Sequence, residues 1–146
     1  MHTRRAIREA IASALTGLST TGSRVYQTRI YPVADNNLPG LAIYTRSESD
    51  EYTTITQPRT ILRTLTASIE AYVKATADID DQLDAIASEV EVAIYADVTL
   101  GGNAKDARIV SFEADFSGDP DQPVGTGIIQ LEVDYVTIEG APEVAV

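Results

Sequence analysis

The sequence predicts an α+β fold, a two-layer sandwich in which two helices cover an antiparallel or mixed sheet. Three observations predict it. Two segments repeat apolar residues at helical spacing, five others read as strands, and the order is α-β-β-β-α-β-β. The longest strand candidates alternate apolar and polar residues, which implies one buried face that two amphipathic helices can cover.

The elements follow in order. Residues 3–18 form a helix because Ile7, Ala10, Ile11, Ala14, Leu15 and Leu18 make one apolar stripe, with Arg5, Glu9, Ala12 and Thr16 opposite. Thr3 suits the N-cap, and Gly17 with Ser19–Gly22 ends the helix. Residues 25–31 are β-branched and aromatic and stop at Pro32, and the loop 32–40 carries two prolines. Residues 41–45 alternate. Residues 46–58 are polar and weakly patterned, either a long exposed loop or an extended hairpin arm. Residues 60–75 form the longest strand, with Ile61, Leu65, Ala67, Ile69, Ala71 and Val73 on one face. A second helix spans 78–96, with the stripe Ile79, Leu83, Ile86, Val90 and Ile94. Asp78, Asp80, Asp81 and Asp84 crowd its first turns, where the helix dipole favours negative charge. A strand over 107–116 points Val110, Phe112, Ala114 and Phe116 inward. A hairpin-type loop over 117–127 leads to the last strand, 128–138, with Ile129, Leu131, Val133 and Tyr135 inward. Residues 139–146 read as a tail. No block looks like an interdomain linker, so residues 1–146 read as one domain.

Composition narrows the function. A chain of 146 residues with 44% hydrophobic content can bury roughly 70% of its unfolded surface without disulfides. It has no cysteine, and its one histidine is His2. Thiol catalysis, Cys-ligated metals and His-based triads are thereby excluded. No apolar run nears the ~18 residues of a membrane span, and no apolar stretch follows the basic start as in a signal peptide. These features are expected of a soluble, cytoplasmic domain with no membrane partner. Phosphate-binding loops, dinucleotide fingerprints, nucleophile elbows and H-E-x-x-H are all missing, so no nucleotide or other cofactor is expected.

The best catalytic candidate is acidic. Asp115, Asp119, Asp121, Glu132 and Asp134 lie on or near one hairpin, and carboxylates can hold Mg²⁺ or Ca²⁺. Yet Glu132 and Asp134 occupy outward positions, and Asp119-Pro120-Asp121 is ordinary turn chemistry. The expectation is no metal and no enzyme activity.

Charge is uneven. Residues 1–63 carry eight arginines and five acids, net +3, whereas residues 64–146 carry three bases and seventeen acids, net −14. Acids can simply coat solvated faces. The split also suits head-to-tail contact between copies. In that reading Arg59 and Arg63 lie near one edge, and Glu70, Asp81 or Asp84 face them from the neighbour. Arg63 interrupts an inward face, between Ile61 and Leu65. It either snorkels to water beyond the sheet edge or pairs at a subunit interface. Tyr52, in the polar segment with Arg46, Glu48, Asp50 and Glu51, is the tyrosine expected to make a contact.

Four stretches carry a family resemblance: TRRAIREAIASALTGLSTTGSRVYQTRIYPV, LPGLAIYTRSE, RTLTASIEAYVKA and DIDDQLDAIASEVEVAI. An opening helix, a "tG.rVy..R.yp" strand and a leucine-proline strand entry resemble the lambda-type tail terminator proteins of long-tailed phages. The likeness covers residues 4–95 and extends loosely through IVSFEADF and TGIIQLEVDYV. It implies a virion structural protein of the tail and neck region. Such proteins form a homo-hexameric ring on the tail tube, stop tube polymerisation and present the head-docking surface. Implied partners are the chain itself, the major tail tube protein and a head-completion or neck protein, with genomic DNA passing unbound through the lumen. Another neck, connector or tail completion role is the nearest alternative, and a carboxylate-dependent metal hydrolase a more distant one.

Overall fold

The structure is a computed structural model that describes residues 1–27, 37–74, 78–116 and 124–146. Its elements are α1 (Thr3–Leu15), β1 (Val25–Tyr26), β2 (Gly40–Tyr52), β3 (Thr60–Lys74), α2 (Ile79–Ala96), β4 (Asp106–Phe116), β5 (Val124–Ile138) and β6 (Ala141–Ala145). The strand order is β1-β2-β3-β5-β4, and β6 pairs with the end of β5. β1 runs parallel to β2, and the other pairings are antiparallel. The α+β sandwich with a mixed sheet is therefore as expected. Within the predicted 25–31 strand, residues 28–31 lie outside the described residues. So do most of the 32–40 loop, residue 75, and residues 117–123 with Asp119 and Asp121.

Both helices lie on one face of the sheet. The inward sets of β3 and β5 meet the apolar stripes of α1 and α2 there: Leu65, Ile69, Leu131, Val133 and Tyr135 are fully covered, as are Ile7, Ile11, Leu15, Ile86 and Val90. Ala12, expected on the solvent side, is also buried, because α1 packs against α2, β1 and β6 as well as β2. His2, not Thr3, caps α1, its Nδ1 accepting from the Arg4 N–H at 3.0 Å. The Thr3 hydroxyl instead donates to Pro142 O at 2.8 Å, fastening the helix to β6. Helix α1 ends at Leu15, and Gly17 takes a left-handed φ of 93° that frees the chain to turn.

Four segments depart from the alternating pattern for physical reasons. Arg46 is an extra residue in β2, so pairing passes from Thr45↔Ala67 to Ser47↔Thr66. The bulge turns Glu48, Asp50 and Tyr52 to the helix-bearing face and carries β2 on to Tyr52, so of the two readings of 46–58 the extended hairpin arm is the one found. β3 is backed by β5 along its whole length, so only the turn 53–59 stands clear of the sheet. In β4 the shift between Ile109 and Ser111 makes Val110 the extra residue. The inward residues before it are Ala107 and Ile109, not Val110. Phe112 and Ala114 share that face but lie exposed on the edge strand, and the Phe116 side chain lies outside the described set. Residues 124–127, expected in a loop, begin β5. A Cβ on Gly125 would lie 2.6 Å from Ile79 Cγ2, and one on Gly127 3.2 Å from Leu83 Cδ2. These glycines let the start of α2 press against the sheet. Finally, the 139–146 tail contains β6.

Candidate assembly surface

The bulge at Arg46 builds the most ordered polar site. Glu48 pairs with Leu65 of β3, and Arg63 lies between Asp50 of β2 and Tyr135 of β5. All of them face the helix layer where the first turn of α1 crosses the sheet. The Glu48 carboxylate takes Arg4 Nε at 3.3 Å and Arg4 Nη2 at 3.2 Å, Arg63 Nη1 at 3.1 Å, and the Tyr135 hydroxyl. Arg63 also donates to Thr137 Oγ1 at 2.9 Å and lies 3.5 Å from Asp50 Oδ2. The Arg63 and Glu48 side chains are only 11% and 9% exposed. Arg63 thus neither snorkels to water nor stands ready for a neighbour; it is committed within its own chain. Burial pushes the Glu48 carboxyl up, but hydrogen bonds with Tyr135, Asp50 and Arg63 and the charge of Arg4 outweigh it and hold the group below its ordinary range. Burial and the nearby Glu48 push Asp50 up, and burial with the Glu48 hydrogen bond pushes Tyr135 up.

The remaining predicted residues scatter. Arg46 and Glu51 are exposed on β2. Tyr52 is half exposed, with the Arg59 guanidinium 4.4 Å above its ring, and Arg59 Nε donates to Glu139 at 3.0 Å. Glu70 lies on the sheet face opposite the helices, accepting from the Tyr44 and Tyr72 hydroxyls. Asp81 and Asp84 are exposed on α2. Seven of the ten candidates therefore lie between Arg46 and Arg63, while the proposed acidic counterparts lie on two other surfaces.

The weighed acidic set also separates. Glu132 and Asp134 share the open sheet face with Arg108, which donates to Asp134 at 2.8 Å, Glu132 at 2.9 Å and Asp106 at 3.2 Å. A guanidinium fills the space a cation would need. Asp115 pairs with Thr126 near the far end of the strand. Among the described residues, no group of three or more His, Asp or Glu side chains is arranged to hold a metal ion, and no helix is long and apolar enough to cross a membrane.

Arg4, Tyr135, Thr137 and Glu139 are site residues that sequence reasoning missed. Only Arg63 carried a signal, as a cation in an apolar row. Large exposed apolar groups lie toward the same end of the sheet: Ile55 is 97% exposed in the 53–59 turn, Tyr52 ends β2, and Val144 lies on β6, which pairs with the end of β5.

No protein family matches the chain, and no curated protein matches it. Among solved structures, a chain from the virion of a native gene transfer agent particle overlays at a TM-score of 0.35 with 12% identity, over 91% of this chain and 92% of that one.

Proposed function

We propose that the protein is a virion structural component, a tail terminator that caps the tail tube as a hexameric ring and forms the surface the head docks onto. It acts by assembly, without catalysis or a cofactor, and its partners are other copies, the tail tube protein and a head-completion or neck protein. The observation that carries the reading is the run of motifs over residues 4–95 that resembles the lambda-type terminators, set in the helix–strand–hairpin–helix order that such motifs imply. The end of the β2–β3 hairpin supports it: Tyr52 and Ile55 offer apolar surface of the kind that drives association, beside a polar network that stiffens its base. With Arg63 engaged internally, ring contacts fall to Arg46, Tyr52, Ile55 and the exposed acids of α2.

Electron microscopy of the purified protein, alone and mixed with tail tubes, tests the proposal. Six-fold rings, or caps that stop tube growth, support it. A species that stays monomeric and leaves tube length unchanged removes it. Capping of a head portal in place of a tube would move the protein to another neck position.

A further inference from the structure

We propose that Glu48 is a latch that couples the outer end of β2 to the first turn of α1. The inference holds whatever the hairpin docks against. On its outer side β2 is paired by β1 only at Leu41 and Ala42, so among the described residues its outer half hangs on β3 alone. Position 48 is where that half is tied down from above. One carboxylate takes Arg4 of α1, Arg63 of β3 and Tyr135 of β5, so three elements converge on a single side chain of the edge strand. Arg4 is also placed by His2, whose Nδ1 accepts from the Arg4 backbone N–H and caps the helix. No hydrogen bond or ion pair joins Arg63 to α1 among the described residues; its link to the helix runs through Glu48. Lifting β2 withdraws the carboxylate from Arg4, and losing Arg4 leaves Glu48 short of a charge partner beside Arg63. Each event therefore favours the other, and a ligand that displaces the hairpin end would loosen α1.

The experiment is amide hydrogen exchange on the full chain, comparing wild type with Glu48→Gln and Arg63→Gln. Glu48→Gln should speed exchange about tenfold both in residues 47–52 and in the first turns of α1, with α2 unchanged. Arg63→Gln should do the same, including in α1, to which Arg63 is joined through the carboxylate. Acceleration confined to the hairpin, or spread equally over α2, overturns the latch. If either variant fails to fold, Tyr135→Phe decides. It removes one hydroxyl and should speed both segments together by about threefold; acceleration of one segment alone, or of neither, overturns the proposal.

Discussion

Two arginine–carboxylate clusters lie on opposite faces of the same sheet, and they differ in what surrounds them. Arg63 holds Glu48 and Asp50 beneath α1, with its side chain 11% exposed. Arg108 holds Asp106, Glu132 and Asp134 on the open face, with its side chain 41% exposed. The geometry is comparable and the consequence is not. A charge removed from water must keep its partners, so loss of one member strands the rest. A charge still in water is rehydrated when its partner leaves, and its pair contributes little. The covered cluster is therefore a structural joint, and the open one tunes the charge of a surface.

The largest test of that contrast is Arg63→Met, which keeps the aliphatic stem and removes the charge. It leaves Glu48 paired only with Arg4 and should lower stability by about 3 kcal/mol, within the range for breaking a buried pair. Urea denaturation measures it. The substitution Arg63→Glu, attractive if the residue faced a neighbouring subunit, would set a third carboxylate beside Glu48 and Asp50. It would unsettle the monomer before it reported on assembly.

A second test is pH. The Glu48 carboxyl is held below its ordinary value of 4.5 in the fold. A depressed carboxylate gives stability that is complete above the unfolded value and is lost as pH falls through the native one. Asp50, shifted upward, acts with the opposite sign and blunts the effect. The stability gap between wild type and Glu48→Gln should therefore be widest near pH 7 and close once the solution is more acidic than the native Glu48 value. A gap independent of pH would show that the carboxylate's charge does not hold the joint. A smaller effect is expected from Tyr135→Phe, which leaves a fully buried ring and removes one hydroxyl. The loss of that hydrogen bond should cost about 1–2 kcal/mol by urea denaturation, more than any change at Arg108.

How far the sequence reveals these clusters depends on local pattern. The helices and the long strands β3 and β5 were readable because periods of 3.6 and two persist over many residues. Ile61 to Val73 and Ile129 to Tyr135 are buried as their alternation implies. The bulges at Arg46 and Val110 were not, because one extra residue reverses the alternation without a local mark. That reversal turned Glu48 toward the core and Val110 out of it. Gly125 and Gly127 read as a turn because their purpose, close approach of α2, lies in another element. Strand β6 was hidden for a similar reason: its short, proline-bearing sequence is fixed by Thr3, whose hydroxyl bonds Pro142 from the other end of the chain. Arg63 was visible as an exception, but its partners were not. They come from β2 and β5, and only the fold makes them neighbours.

The smallest predicted effect is at Arg108, and its sign against salt distinguishes the two faces. Arg108→Gln leaves Asp106, Glu132 and Asp134 facing one another across β4 and β5, where Asp106 and Asp134 are directly paired in register. All three remain reachable by water, so the loss should be at most about 1 kcal/mol at low salt. What remains is repulsion between exposed like charges, which 1 M salt shortens to a range of about 3 Å. Raising salt should therefore stabilise Arg108→Gln relative to wild type and bring the two together. The covered cluster should behave otherwise, since ions cannot enter between Glu48 and Arg63, and the deficit of Arg63→Met should persist at high salt. Urea titrations of both variants at low and high salt make the comparison. If salt repairs Arg63→Met as fully as Arg108→Gln, the joint beneath α1 is as wet as the open face, and burial is not what sets the two clusters apart.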